Sequence, residues 1–126
     1  VLDTYSHKII FSLSFHSGGK CICHPPDSSK IVYDDELVKK CVSLAKSYDA
    51  HEKYFYNLSG KKAIIKGLDW YEAVGTFDEW IFYKYKIPCI CVELDEQKNK
   101  FTKKSIRDRY LGLQIFLQNC GVKSVF

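Results

Sequence analysis

Lys8-Ile9-Ile10-Phe11-Ser12-Leu13-Ser14-Phe15-His16-Ser17-Gly18-Gly19 is the stretch from which the fold is read. Alternation puts Ile9, Phe11, Leu13 and Phe15 on one face and Ile10, Ser12, Ser14 and His16 on the other, which predicts a largely buried strand over 8–16. Gly18-Gly19 then makes a sharp turn, and Lys20 to His24 is predicted as a short second strand stopped by Pro25-Pro26. His16 therefore stands at the carboxyl end of a strand, where open α/β sheets gather their functional groups.

The same alternation returns over Pro88 to Leu94, with Cys89, Cys91 and Glu93 on one face and Ile90, Val92 and Leu94 on the other. Between these strands, Asp34-Asp35 caps a predicted helix running to about Ala50. Its residues Leu37, Val38, Cys41, Leu44, Ala45 and Tyr48 follow the three-and-four spacing of a face laid on a sheet. Residues 51–79 show no clean period and contain Gly60, Gly67 and Gly75, so they are predicted as mainly loop with short extended pieces. A short helical turn is expected over 78–85. The last element is a helix from about Lys103 to Cys120, with Ile106, Tyr110, Leu113, Phe116, Leu117 and Cys120 as its buried stripe and Gly121 as its stop. The pattern is α/β, one domain over 1–126, with no repeat or linker.

Composition narrows the function classes. A chain of 126 residues that is 46% apolar and 15% aromatic can bury a modest core and reads as a folded globular protein. The net charge of +4 comes from lysines scattered among acids, as in Lys39-Lys40, Lys61-Lys62 and Lys103-Lys104. No basic face interleaved with stacking aromatics is concentrated anywhere, which argues against nucleic acid as a partner. No apolar run approaches the roughly 18 residues of a membrane span, so none is expected. Val1 opens the chain, which fits a processed chain or one that begins inside a domain.

Six cysteines fall as Cys21-Ile22-Cys23, Cys41, Cys89-Ile90-Cys91 and Cys120. Their even number permits disulfides in an oxidising compartment, and the sequence fixes no pairing. Strand alternation would set the two thiols of each Cys-x-Cys pair on one face about 7 Å apart, unlike the wider, turn-borne spacing of zinc sites. The expectation is free, buried cysteines acting as small hydrophobes. Asn57-Leu58-Ser59 is a glycosylation sequon, relevant to a secreted protein.

Four blocks in order, Phe15-His16-Ser17-Gly18-Gly19, Trp70-Tyr71, Gly75-Thr76 with Asp78-Glu79-Trp80, and Val92-Glu93-Leu94, resemble the C-terminal part of a zinc metallocarboxypeptidase of the carboxypeptidase A/B and N/E family. The likeness covers nearly all of the chain. It implies the C-terminal portion of a mixed-sheet α/β/α catalytic domain, a Zn2+ cofactor, and peptide or protein C-termini as substrate, with a secreted location. His16 matches the family's third zinc ligand, with His24-Pro25 at the place of a following Tyr-Pro pair, and Ser17 matches a position lining the cleft. Tyr71 matches the tyrosine that hydrogen-bonds the substrate's carboxylate, in a block where Thr76 replaces the second glycine and Glu79 the aspartate. Glu93 matches the catalytic glutamate, and Lys98 agrees with the N/E branch. Asp78 and Asp27 stand where the B and N/E branches respectively place a pocket aspartate, so either is expected to pair with a C-terminal Lys or Arg.

Taken singly, each residue has a plainer reading. His16 would be a hydrogen-bonded strand-end histidine, Glu93 a solvated carboxylate, Tyr71 a packing aromatic, and Asp27 and Asp78 loop or cap acids. Their joint register favours function. The chain departs from the family upstream: none of His7, His16, His24 or His51 is followed three residues later by Glu. No Asn-Arg precedes His16, and Arg107 and Arg109 lie on the last predicted helix, away from any clamp. One imidazole does not hold zinc, so the chain alone is expected to be inactive, with activity belonging to a longer protein. Two functions stand side by side: a zinc exopeptidase represented by its C-terminal portion, and a non-enzymatic peptide-binding module or inactive remnant of the same fold.

Overall fold

The computed structural model describes residues 2–51, 64–94 and 102–122. The sequon at Asn57 and Lys98 lie outside them. In chain order the elements are α1 (Leu2–Tyr5), a 3-10 turn (Ser6–Lys8), β1 (Ser12–His16), β2 (Ile22–His24), α2 (Asp35–His51), β3 (Ile64–Lys66), α3 (Gly67–Trp70), α4 (Phe77–Tyr85), β4 (Cys89–Glu93) and α5 (Lys103–Asn119). The four strands form one mixed sheet in the order β1-β4-β2-β3. β1 runs parallel to β4, β4 antiparallel to β2, and β2 parallel to β3. This is the expected α/β architecture.

Helices cover both faces of the sheet. Ile22, Ile90 and Val92 turn to one side and pack with Ala45 and Tyr48 of α2 and Phe116 of α5. Phe116 anchors that layer, its ring 5.1 Å from Tyr48 and 5.5 Å from Phe11, both edge-on. On the other side, Ile81 and Phe82 of α4 pack with Cys89, Ile87 and the first turns of α2 at Leu37 and Cys41. Asp34 starts α2 as predicted, its Oδ1 accepting from the backbone N–H groups of Glu36 and Leu37.

Three sequence expectations need correction. The first strand begins at Ser12, not Lys8, and residues 2–8 are helical turns. Its ladder starts where the Ser12 N–H donates to the Pro88 carbonyl, and Pro88, lacking an N–H, offers nothing to extend it backwards. The 51–79 region contains the turn of helix α3 besides the strand β3. In α5 the buried stripe is displaced: Phe116 is buried, but Ile106 and Tyr110 are 55% and 47% exposed, and Arg109 is buried between them in sequence. Those first turns of α5 line a shallow apolar groove with Phe15 and Leu94 instead of entering the core.

Candidate active site

A cavity of about 230 Å³ opens at the carboxyl ends of β1 and β4, lined by His16, Asp27, Tyr71, Asp78 and Glu93 among others. Parallel pairing sets its floor. His16 and Glu93 are register partners, and so are Ser14 and Cys91 two residues earlier. Because side chains alternate, Ser14, His16, Cys91 and Glu93 all turn to the face away from the Phe116 layer. The Glu93 carboxylate is buried, at 6% exposure. The turn after β1 passes over it, so that a Cβ at Gly18 would lie 3.8 Å from Glu93 Oε2. The Glu93 N–H donates to the Cys21 carbonyl at 2.8 Å, which fixes the strand end between β1 and β2.

Asp78 enters from α4. Thr76 is the N-cap of that helix, its Oγ1 accepting from the Glu79 N–H at 3.1 Å. Asp78 is therefore neither the cap nor a solvent-facing acid: it is 6% exposed and accepts a 2.6 Å hydrogen bond from Ser14 Oγ. Burial raises its pKa above the ordinary carboxylate value, against the Ser14 hydrogen bond and the nearby His16 that lower it. Glu79 locks the turn below, one oxygen accepting from the Tyr33 hydroxyl at 2.5 Å and the other from the Gly75 N–H at 2.9 Å.

Asp27 reaches the same cavity from the loop after β2, past the cis Pro25-Pro26 peptide. Its carbonyl accepts from the Ala73 N–H, and its Oδ2 accepts from Thr76 Oγ1 at 3.2 Å. Gly67 packs against its carboxylate so closely that a Cβ there would come 2.0 Å from Asp27 Oδ1. Desolvation pushes the Asp27 pKa up to about 6, with Asp78 and Glu79 adding to it and the Thr76 hydrogen bond opposing it. With Glu93, three acids thus converge on one small cavity.

Tyr71 follows α3 in extended conformation, with its ring edge-on to Trp70 at 5.2 Å and 59% exposed. It stands at the mouth, with its phenol pKa raised by desolvation first and then by Glu93. Five of the six residues singled out in the sequence are brought together; Ser17 is not among those lining the cavity. Reasoning from sequence missed Ser14, Gly67 and Thr76, which position the acids, and Cys23 and Cys91 in the wall. The parity of Ser14 with His16 was a usable signal, whereas the approach of Gly67 to Asp27 leaves no local trace.

The family model described as zinc carboxypeptidase matches residues 1–112. No curated protein matches the chain. Zinc requires three or four converging donors, and among the described residues no group of three His, Cys, Asp or Glu side chains is arranged to hold a metal ion. His16 offers one imidazole, so the described residues do not by themselves fit the zinc of that family. No helix among them is long and apolar enough to cross a membrane.

Proposed function

The chain belongs to the zinc carboxypeptidase family, and from that premise we propose that it carries the substrate-recognition and general-base portion of an exopeptidase hydrolysing the C-terminal peptide bond of peptides or proteins. The observation that carries this reading is the side-by-side placement of His16 and Glu93 at the floor of a cavity that also holds Tyr71, Asp27 and Asp78. Glu93 is the group that takes a proton from water and returns it to the leaving amine. The Tyr71 hydroxyl donates to the substrate's terminal carboxylate. Asp27 and Asp78 favour a C-terminal Lys or Arg, whose cation pairs with an otherwise crowded set of acids. His16 contributes one imidazole to the zinc, whose remaining ligands the described residues do not include. On this reading residues 1–126 are the C-terminal portion of the catalytic domain, the isolated chain is inactive, and the parent protein is secreted.

Calorimetric titration of the chain with peptides identical except for a C-terminal Lys, Leu or amidated Lys tests recognition. Preferential binding of the free-carboxylate Lys peptide is expected, and equal affinity for all three would overturn it. Turnover of that peptide by the pure chain would overturn the inactivity. The absence of a metal-holding trio among the described residues supports a second reading, a non-enzymatic peptide-binding module. The two separate on whether the full-length protein gains zinc-dependent turnover.

A further inference from the structure

The roles assigned above leave the thiols of the cavity wall unused. Cys21 Sγ and Cys23 Sγ lie 3.8 Å apart. Strand alternation alone would hold them farther away, but Cys21 sits in the bend before β2, outside the ladder. Cys23 is buried and lines the cavity, whereas Cys21 is half-buried and reachable. The Trp70 ring edge and Cys21 Sγ flank the same point beside Gly19, at 3.0 and 3.4 Å from the position a Cβ would take there. The indole therefore neighbours the pair.

We propose that Cys21 and Cys23 form a dithiol modification site which a low-molecular-weight disulfide of the glutathione disulfide class converts to an intrachain disulfide. Cys21 is the entry thiol: it is the more exposed of the two, and a hydrogen bond from Cys23 favours its thiolate. Its thiolate attacks one sulfur of the small disulfide, forming a mixed disulfide and expelling one small thiolate. Cys23 loses its proton and attacks Cys21 Sγ, so that the intrachain S–S bond forms as the second small thiolate leaves. Two cysteine thiols are oxidised, one disulfide is reduced to two thiols, and the two cysteine protons end on the departing thiolates. The competing partners are disfavoured. Cys91 faces Cys23 across the β2–β4 register, but burial raises the Cys91 thiol, and the Cys21 hydrogen bond and burial raise that of Cys23, so this pair lacks the entry thiolate that Cys21 supplies. Cys41 and Cys89 are both buried, with the Cys89 thiol donating to the Asp78 carbonyl. A ring closed over a single intervening residue, Ile22, is strained, so the bond is readily reduced again.

The test equilibrates the reduced full chain with mixtures of reduced and oxidised glutathione, followed by acid quench, alkylation, intact mass and peptide mapping. The expected result is loss of two alkylatable thiols, both in the peptide carrying Cys21 and Cys23, and their return when reduced glutathione is added. Cys23→Ser is expected to stop at a glutathione adduct on Cys21, and Cys91→Ser to close as the unaltered chain does. Retention of all six thiols at every ratio, or a first disulfide mapping to Cys23–Cys91 or Cys41–Cys89, would overturn the proposal. Because wild type and Cys91→Ser suffice to decide it, misfolding of Cys23→Ser does not obscure the outcome.

Discussion

His16 and Glu93 are register partners on the parallel strands β1 and β4, so an imidazole and a carboxylate leave the sheet side by side at the same end. Strand pairing itself sets this juxtaposition. If Glu93 acts on protons and not on binding, the neutral isostere separates the two. Glu93→Gln is expected to leave the affinity for a Lys-terminated peptide within about twofold while lowering turnover by the longer exopeptidase proposed above about 10²–10⁴-fold. Calorimetry on this chain and kcat on the complete enzyme check the two halves; a binding loss as large as the rate loss would remove Glu93 from the general-base role.

Gly67 and Asp27 are locked together, since any Cβ at 67 would meet the Asp27 carboxylate at 2.0 Å. Gly67→Ala must therefore move either the β3–α3 junction or the acid. The expected cost is about 1–3 kcal/mol in chemical denaturation, together with weaker binding of basic C-termini. In a double-mutant cycle with Asp27→Ala the stability loss should shrink, because the obstructing carboxylate is gone. Strict additivity would mean that the strain lies elsewhere.

Asp27 gives the cavity a pH dependence. Its folded pKa of about 6 lies above the 3.8 of an unperturbed aspartate, so between those values the folded chain holds a proton that the unfolded chain has released. Stability attributable to this group is therefore greatest at low pH and falls as pH rises through that window, by an amount on the order of 1 kcal/mol once solvent screening is allowed for. Asp27→Asn should flatten that part of the curve. Binding runs the other way: a Lys-terminated peptide should gain about tenfold in affinity as pH rises from 5 to 8, since the pairing carboxylate forms only above about 6. Denaturation and calorimetry at several pH values, wild type against Asp27→Asn, read both signs.

Much of this site was legible because strands have a strict period. Alternation put Ser14 with His16 on one face of the first strand and Cys91 with Glu93 on one face of the later one, and the Asp34 cap marked the start of α2; the pairing of β1 with β4 then joins the two faces. Failures arose where tertiary context overrode local pattern. The apolar phase of α5 was correct at Phe116 but not at Ile106 and Tyr110, which lie beyond the packed layer beside an open groove. Lys8 to Phe11 carry strand-like residues, yet a strand forms only where β4 supplies partners. The 3.8 Å approach of Cys21 to Cys23 depends on a bend that periodicity does not encode.

Thr76 joins the helix to the acids. Its Oγ1 both accepts from the Glu79 N–H, capping α4, and donates to Asp27 Oδ2. One hydroxyl can do both, because it has one proton and two lone pairs. Thr76→Ala removes both contacts, and the cap alone is expected to cost about 1 kcal/mol. The loss of the Asp27 hydrogen bond should raise that acid's pKa further, since this bond is what opposes its desolvation. The rise in Lys-peptide affinity should then move to higher pH than in wild type. Thr76→Ser keeps the hydroxyl and should restore the midpoint, whereas Thr76→Asn offers a cap oxygen and can restore stability without restoring the pH midpoint. A wild-type pH midpoint in all three variants, with stability lost only in Thr76→Ala, would show that Thr76 acts on α4 alone and that Asp27 is held by Gly67 and the Ala73 backbone.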